Sequence, residues 1–316
     1  MNKAIRKILN YSFKKKNLAK LFLATSISLF IPTSTSHFLY ISSKNKVINK
    51  NHYLFQESKI LGYEWVDFKP SSKFKDLESY ENYFEEYLKT NSDDTLPKKL
   101  TNVISSQYKH DPLKYKCSYN WMGCLLERTK LPYISETLFV LKPEDIAKAK
   151  NAFCSQQAIL VQHILGHLGF NYASVGISYF EEGQVQKGHF FTISFINGKS
   201  YLIDTDMMPK VNWKGEFANN FLSNKLSEST FYEMYSNYIE LPKRKSDLNL
   251  EVVIKDYNSY PASKGLLLQK MVENASYYSW LFTFIFFVIL NYCHLIKFKK
   301  NNKLYYLSNI TEIILL

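Results

Sequence analysis

The sequence predicts an α+β domain in which one enclosed central helix packs on an antiparallel sheet, with membrane segments toward the chain ends. Three observations predict it. Apolar residues recur at helical spacing over 152–168, short β-branched and aromatic runs follow as far as residue 204, and the two most apolar segments lie beside terminal lysine clusters.

In the central segment NAFCSQQAILVQHILGHLGF, residues 151–170, the helix is expected over about 152–168. At about 100° per residue, Ala158, Val161, Leu165 and Leu168 fall within about 40° of the direction of Cys154. Ile159, Leu160 and Ile164 widen that surface, leaving Gln156, His163 and His167 as a narrow polar sector, so the helix should be largely enclosed. Gly169 is the expected C′ residue, with Phe170 beyond it.

The period then changes. YASVGISYF, GHFFTISFI and SYLID alternate as strands, and INGK between the last two is a hairpin turn at Asn197 and Gly198. That turn sets residue 191 opposite Asp204, with His189 one pleat away. Upstream, 74–90 and 98–111 read as helices, and Pro143, Glu144 and Asp145 suit the first turn of another. FLYIS at 38–42 reads as extended, 60–68 as strand or loop, 217–222 and 230–241 as helical, and 250–254 as a strand.

The formal charge of +12 does not describe the body of the protein. Residues 1–20 contribute +7 and residues 297–316 contribute +3, so only +2 remains between them and no basic stripe suggests a nucleic-acid partner. The basic run is followed by LFLATSISLFI, which fits either a signal peptide or an uncleaved anchor within 21–39. Residues 277–296 carry no formal charge, enough at about 1.5 Å per residue to cover a hydrocarbon core of about 30 Å. Lysines before the first segment and after the second predict cytoplasmic tails, at 1–20 and 297–316, around an extracytoplasmic body at 40–276. Cys117 and Cys124 could close a small loop if that compartment oxidises thiols, which would leave Cys154 unpaired.

A cysteine nucleophile requires a base, and the base requires a group that orients it. Cys154 at a helix N-terminus, His189 on one strand and Asp204 at the end of the next supply those types. Unpaired N–H groups at the helix start favour a thiolate. The segment resembles the transglutaminase-like superfamily of papain-like cysteine enzymes over residues 150–209: Cys-x-x-x-Ala, the Leu-Gly-Phe helix end, His-Phe-Phe-Thr-Ile-Ser-Phe before Asn-Gly-Lys, and Tyr-Leu-Ile-Asp-Thr. The resemblance implies Cys154 as nucleophile, Ala158 as the small packing residue, His189 as base and Asp204 as orienting acid. It implies acyl transfer or hydrolysis on a peptide, protein or cell-envelope amide, without a cofactor or metal.

The backbone N–H of Cys154 would be one oxyanion donor, and Trp121, Asn120 and Gln107 are candidates for the other. Gln156 suits a structural role. His163 and His167 lack the further ligands of a zinc site and are expected as hydrogen-bonded surface histidines, while Asp204 and Asp206 alone make an incomplete ligand set. The alternative function is a membrane-held interaction or assembly domain with an inactive site. Its support is Asn151, Ala152 and Phe153, where such enzymes often carry glycine, together with the abundance of tyrosine and phenylalanine.

Overall fold

The computed structural model describes residues 15–42, 47–48, 70–129, 138–181, 184–206, 249–260 and 263–299. The expected helices at 217–222 and 230–241 and the segment at 60–68 lie outside these residues. In chain order the elements are α1 (Lys15–Ser42), β1 (Val47–Ile48), α2 (Leu77–Thr90), α3 (Leu96–Gln107), β2 (Lys114–Tyr115), α4 (Trp121–Arg128), α5 (Pro143–Ala147), α6 (Cys154–His167), β3 (Asn171–Glu181), β4 (Gln184–Ile196), β5 (Lys199–Ile203), β6 (Asn249–Lys255) and α7 (Ser263–Lys299). The chain is α+β and divides into two units, one of residues 45–116 and 129–270 and one of 1–44, 117–128 and 271–316.

The larger unit holds a four-stranded antiparallel sheet in the order β5-β4-β3-β6. Its hairpin turns at Asn197 and Gly198, both with positive φ, the conformation that a two-residue turn between twisted strands requires. Thr192 pairs with Ile203 and Ile196 with Lys199, a register that puts residue 191 across from Asp204. Helix α6 packs on β3 and β4, with Ala158, Val161 and Leu165 buried together with Ile159, Leu160 and Ile164. A polar bridge crosses this contact: Gln162 Nε2 donates to Thr192 Oγ1 at 2.9 Å and Ser174 Oγ to Gln162 Oε1 at 3.4 Å.

Both ends of α6 have local causes. At its C-terminus Gly169 adopts φ 80°. The N–H of Phe170 bonds to the carbonyl of Leu165, and that of Gly169 to Gly166, a paired closure that glycine admits without steric cost. At its N-terminus the N-cap is Phe153, whose side chain has no acceptor. Gln156 compensates from inside the first turn. Its Oε1 accepts the N–H groups of Phe153 and Leu113, and its Nε2 donates to the carbonyls of Leu113 and Val140, all at 2.8–3.1 Å. A second tie links the same region, because Lys109 N–H bonds to Lys150 O and Ala152 N–H to Lys109 O.

Packed on α5 and α6, α2 begins with a reciprocal cap in which Asp76 Oδ1 accepts from Ser79 N–H and Ser79 Oγ accepts from Asp76 N–H. Its inner face buries Leu77, Tyr80 and Phe84, and α3 buries Leu96, Leu100 and Ile104.

In the smaller unit, FLYIS continues α1 through Ser42 and is not extended. Strand propensity is a weak local preference, and extending an existing helix by a residue adds a hydrogen bond without a new nucleation cost. Cys117 and Cys124 form a disulfide, and Asn120 Oδ1 accepts both Gly123 N–H and Ser276 Oγ. The expected span at 277–296 lies within α7, where Phe282, Phe284, Ile285, Val288 and Ile289 are exposed. The side chains of 286, 287 and 290–299 lie outside the description, and among the described residues no helix is long and apolar enough to cross a membrane.

Replacing Gln156 with alanine takes a partner from four backbone groups and leaves three of them, Phe153 N–H, Leu113 N–H and Val140 O, without it, since Leu113 O keeps the N–H of Val140. The expected loss of stability is about 3 kcal/mol or more, since each unsatisfied buried group costs about 1–3 kcal/mol. Urea unfolding measures it, and a loss below about 1 kcal/mol would show that the start of α6 is held by other means.

Candidate active site

Cys154 is the first residue of α6, a free and half-buried thiol. Its position follows from the helix start: Phe153 is extended and the chain turns helical at Cys154, whose N–H is among the first-turn donors that have no intrahelical acceptor. His189 arrives on β4 and Asp204 directly follows β5, so the hairpin register brings the imidazole and carboxylate together. His189 Nε2 and Asp204 Oδ2 are 2.6 Å apart, and the two residues are only 6% and 1% exposed, so the bond is closed to water. Nδ1 is the ring nitrogen left for Cys154.

The other oxygen of Asp204 accepts the N–H of Asp206 at 3.1 Å, which turns the chain after β5 and brings Asp206 to the same site. Cys154 Sγ, a ring nitrogen of His189 and a carboxylate oxygen of Asp206 all lie within 4.8 Å of one another. Asp206 is itself held in place. His110 Nδ1 is 2.8 Å from both of its oxygens, and Gln157 Nε2 donates to Oδ1 at 3.0 Å. The His110 ring lies against Phe153, with centroids 5.0 Å apart. The Lys109 tie to the α6 approach explains how a residue so far upstream arrives here.

Burial alone would push the His189 imidazolium down. The Asp204 charge and hydrogen bond, followed by the hydrogen bond and charge of Cys154, outweigh it and hold His189 well above the ordinary histidine range. Asp111, beside the same loop, moves upward because burial outweighs the hydrogen bond from Asn151 and the charge of His110.

The three residues expected from sequence thus lie together at one site. Of those proposed for a second oxyanion donor, Gln107 accepts Ser71 N–H on Oε1 and bonds Ser106 Oγ through Nε2, and Trp121 Nε1 bonds Ser276 O; Asn120, in the smaller unit, accepts Gly123 N–H and Ser276 Oγ on Oδ1, while its Nδ2 has no partner among the described residues. His163 and His167 bond Glu81 and Glu85 on α2. Sequence reasoning missed Asp206 and His110 as site residues. Asp206 carried a signal in its two-residue spacing from Asp204; His110 carried none, because only the Lys109–Asn151 bridge brings it near.

The fold and the site define an α+β protein with a free thiol at a helix start beside a buried His–Asp pair. No family model, curated protein or solved structure matches the chain.

Because folded His189 keeps its proton where the unfolded chain has released it, its contribution to stability is complete below about pH 6.5 and is lost as pH rises through the folded value. Its expected slope is at most about 1.4 kcal/mol per pH unit. Urea unfolding across the alkaline range should show this decline in the native chain and a flatter profile in His189→Gln. Equal slopes would contradict the buried ion pair.

Proposed function

We propose that the larger unit is a transglutaminase-like cysteine acyl-transfer or hydrolytic domain acting on a peptide, protein or cell-envelope amide. The observation that carries this reading is the buried His189–Asp204 bond beside the free thiol of Cys154 at the start of α6. In the reaction His189 Nδ1 holds the proton that it shares with Sγ while Sγ bonds to the carbonyl carbon and the carbonyl π pair moves to oxygen. The N–H of Cys154 donates to the resulting oxyanion. His189 returns its proton to the leaving nitrogen as the carbon–nitrogen bond breaks, giving a thioester and a free amine. Water or a second amine then attacks the thioester, giving its proton to His189 Nδ1 as the carbon–sulfur bond breaks, which restores the starting Cys154–His189 pair with its one shared proton. Asp204 accepts from Nε2–H throughout, which keeps Nδ1 toward the thiol.

A thiol-directed amide probe on the full chain tests this. Cys154→Ala and His189→Ala should abolish labelling, and Asp204→Asn should slow it by about three to four orders of magnitude through loss of the orienting acceptor. A folded chain that is never labelled would favour the inactive interaction domain.

The same reading holds the body on the extracytoplasmic side of a membrane. It is supported by the Cys117–Cys124 disulfide, which persists in oxidising compartments, by the exposed apolar residues of α7, and by lysines beyond residue 296. In intact cells or vesicles, external protease should reach the 117–124 loop. Protection of that loop until the membrane is opened from the cytoplasmic face would reverse the orientation.

A further inference from the structure

We propose that this cluster is also a zinc site, with Cys154 Sγ, His189 Nδ1 and an Asp206 carboxylate oxygen as the three protein ligands and water as the fourth. Asp204 and Asp206 by themselves form no ligand set. Tertiary structure changes this by adding a thiol and an imidazole to Asp206 and by putting Asp204 behind the imidazole.

Zinc is the cation this donor set selects. It accepts thiolate, imidazole and carboxylate in one tetrahedral shell, and three protein ligands with one open position is a common arrangement for it. Calcium and magnesium require shells of oxygen donors, whereas this cluster offers one carboxylate beside a thiol and an imidazole. Zinc bonds of about 2.0–2.3 Å put tetrahedral donors about 3.3–3.8 Å apart. The three donors already lie within 4.8 Å of one another, so closing on a metal requires side-chain movements on the order of 1 Å.

The outer contacts suit a metal as well. His189 has its Nε2 on Asp204, which directs Nδ1 at the site in the carboxylate–histidine–metal pattern. Asp206 is oriented by His110 and Gln157. Gln157 has Nε2 on two acceptors, Ala152 O and Asp206 Oδ1, which determines which end of its amide faces the carboxylate.

Loading releases to solvent the single proton that Sγ and Nδ1 share, while Nε2 keeps its own toward Asp204. The zinc-loaded thiol is closed to acylation, so zinc acts as a reversible blocker of Cys154. The metal needs only the three donors and binds whether or not the thiol carries out acyl transfer.

The test uses the full chain, stripped of metal by a chelator with its disulfide intact. Titrated cobalt(II) should give sulfur-to-cobalt charge transfer and the bands of a tetrahedral site at one ion per chain, displaced by zinc. Cys154→Ser should abolish the sulfur band, and Asp206→Asn should keep it while weakening zinc at least about tenfold. Alkylation of Cys154 by iodoacetamide should be blocked by zinc in the native chain. A folded native chain without the sulfur band overturns the site, as does undiminished zinc affinity in Asp206→Asn or a sulfur band that survives Cys154→Ser. Should Asp206→Asn fail to fold, the native cobalt spectrum and zinc protection still decide. The amide probe on metal-free protein reports separately on acyl transfer: cobalt binding without probe labelling retires the enzyme and keeps the metal, and labelling without cobalt binding does the reverse.

Discussion

The larger unit is organised around the side-chain amide of Gln156. Its neighbour Phe153 occupies the N-cap with no acceptor to offer, and the approach to the helix contains no serine, threonine or aspartate that could serve instead. One buried glutamine therefore ties Phe153, Leu113 and Val140 to the first turn of α6. Cys154 inherits its position from that joint. So does the loop carrying His110, which the Lys109 hydrogen bonds lay alongside the same approach.

The site concentrates charge that would be costly if left unpaired. Asp204 is almost fully buried, yet both of its oxygens are engaged, one by His189 and one by the N–H of Asp206. Asp206 in turn faces His110 and Gln157. Two carboxylates and two imidazoles are thereby arranged as two pairs around one sulfur. The proposed acyl transfer and the proposed zinc site both draw on this arrangement, and the two would compete for the same thiol.

Much of this was legible along the chain because it rests on short-range rules. The Asn-Gly turn dictates the β4–β5 register through its backbone geometry, and the register alone aligns His189 with Asp204. Gly169 and the apolar period of α6 similarly identify the helix and its stop. FLYIS was misread because aromatic and β-branched residues favour strands only weakly, and helix α1 simply continues through them. The oxyanion candidates Gln107 and Trp121 had the right chemistry, but sequence carries no information on which polar groups a tertiary neighbour will claim first.

By itself, then, the sequence determined the elements whose instructions are local: an enclosed helix starting at a cysteine, a hairpin of known register and a histidine that meets an aspartate across it. Only the tertiary structure decided what surrounds that thiol. The approach of His110 depends on a backbone bridge between residues 109 and 151, and the inward turn of Asp206 depends on a hydrogen bond to Asp204 that forms once β5 is in place. Contacts between segments so far apart are selected by the simultaneous burial and pairing of their polar groups, a condition imposed by the whole fold and written in no single stretch of chain.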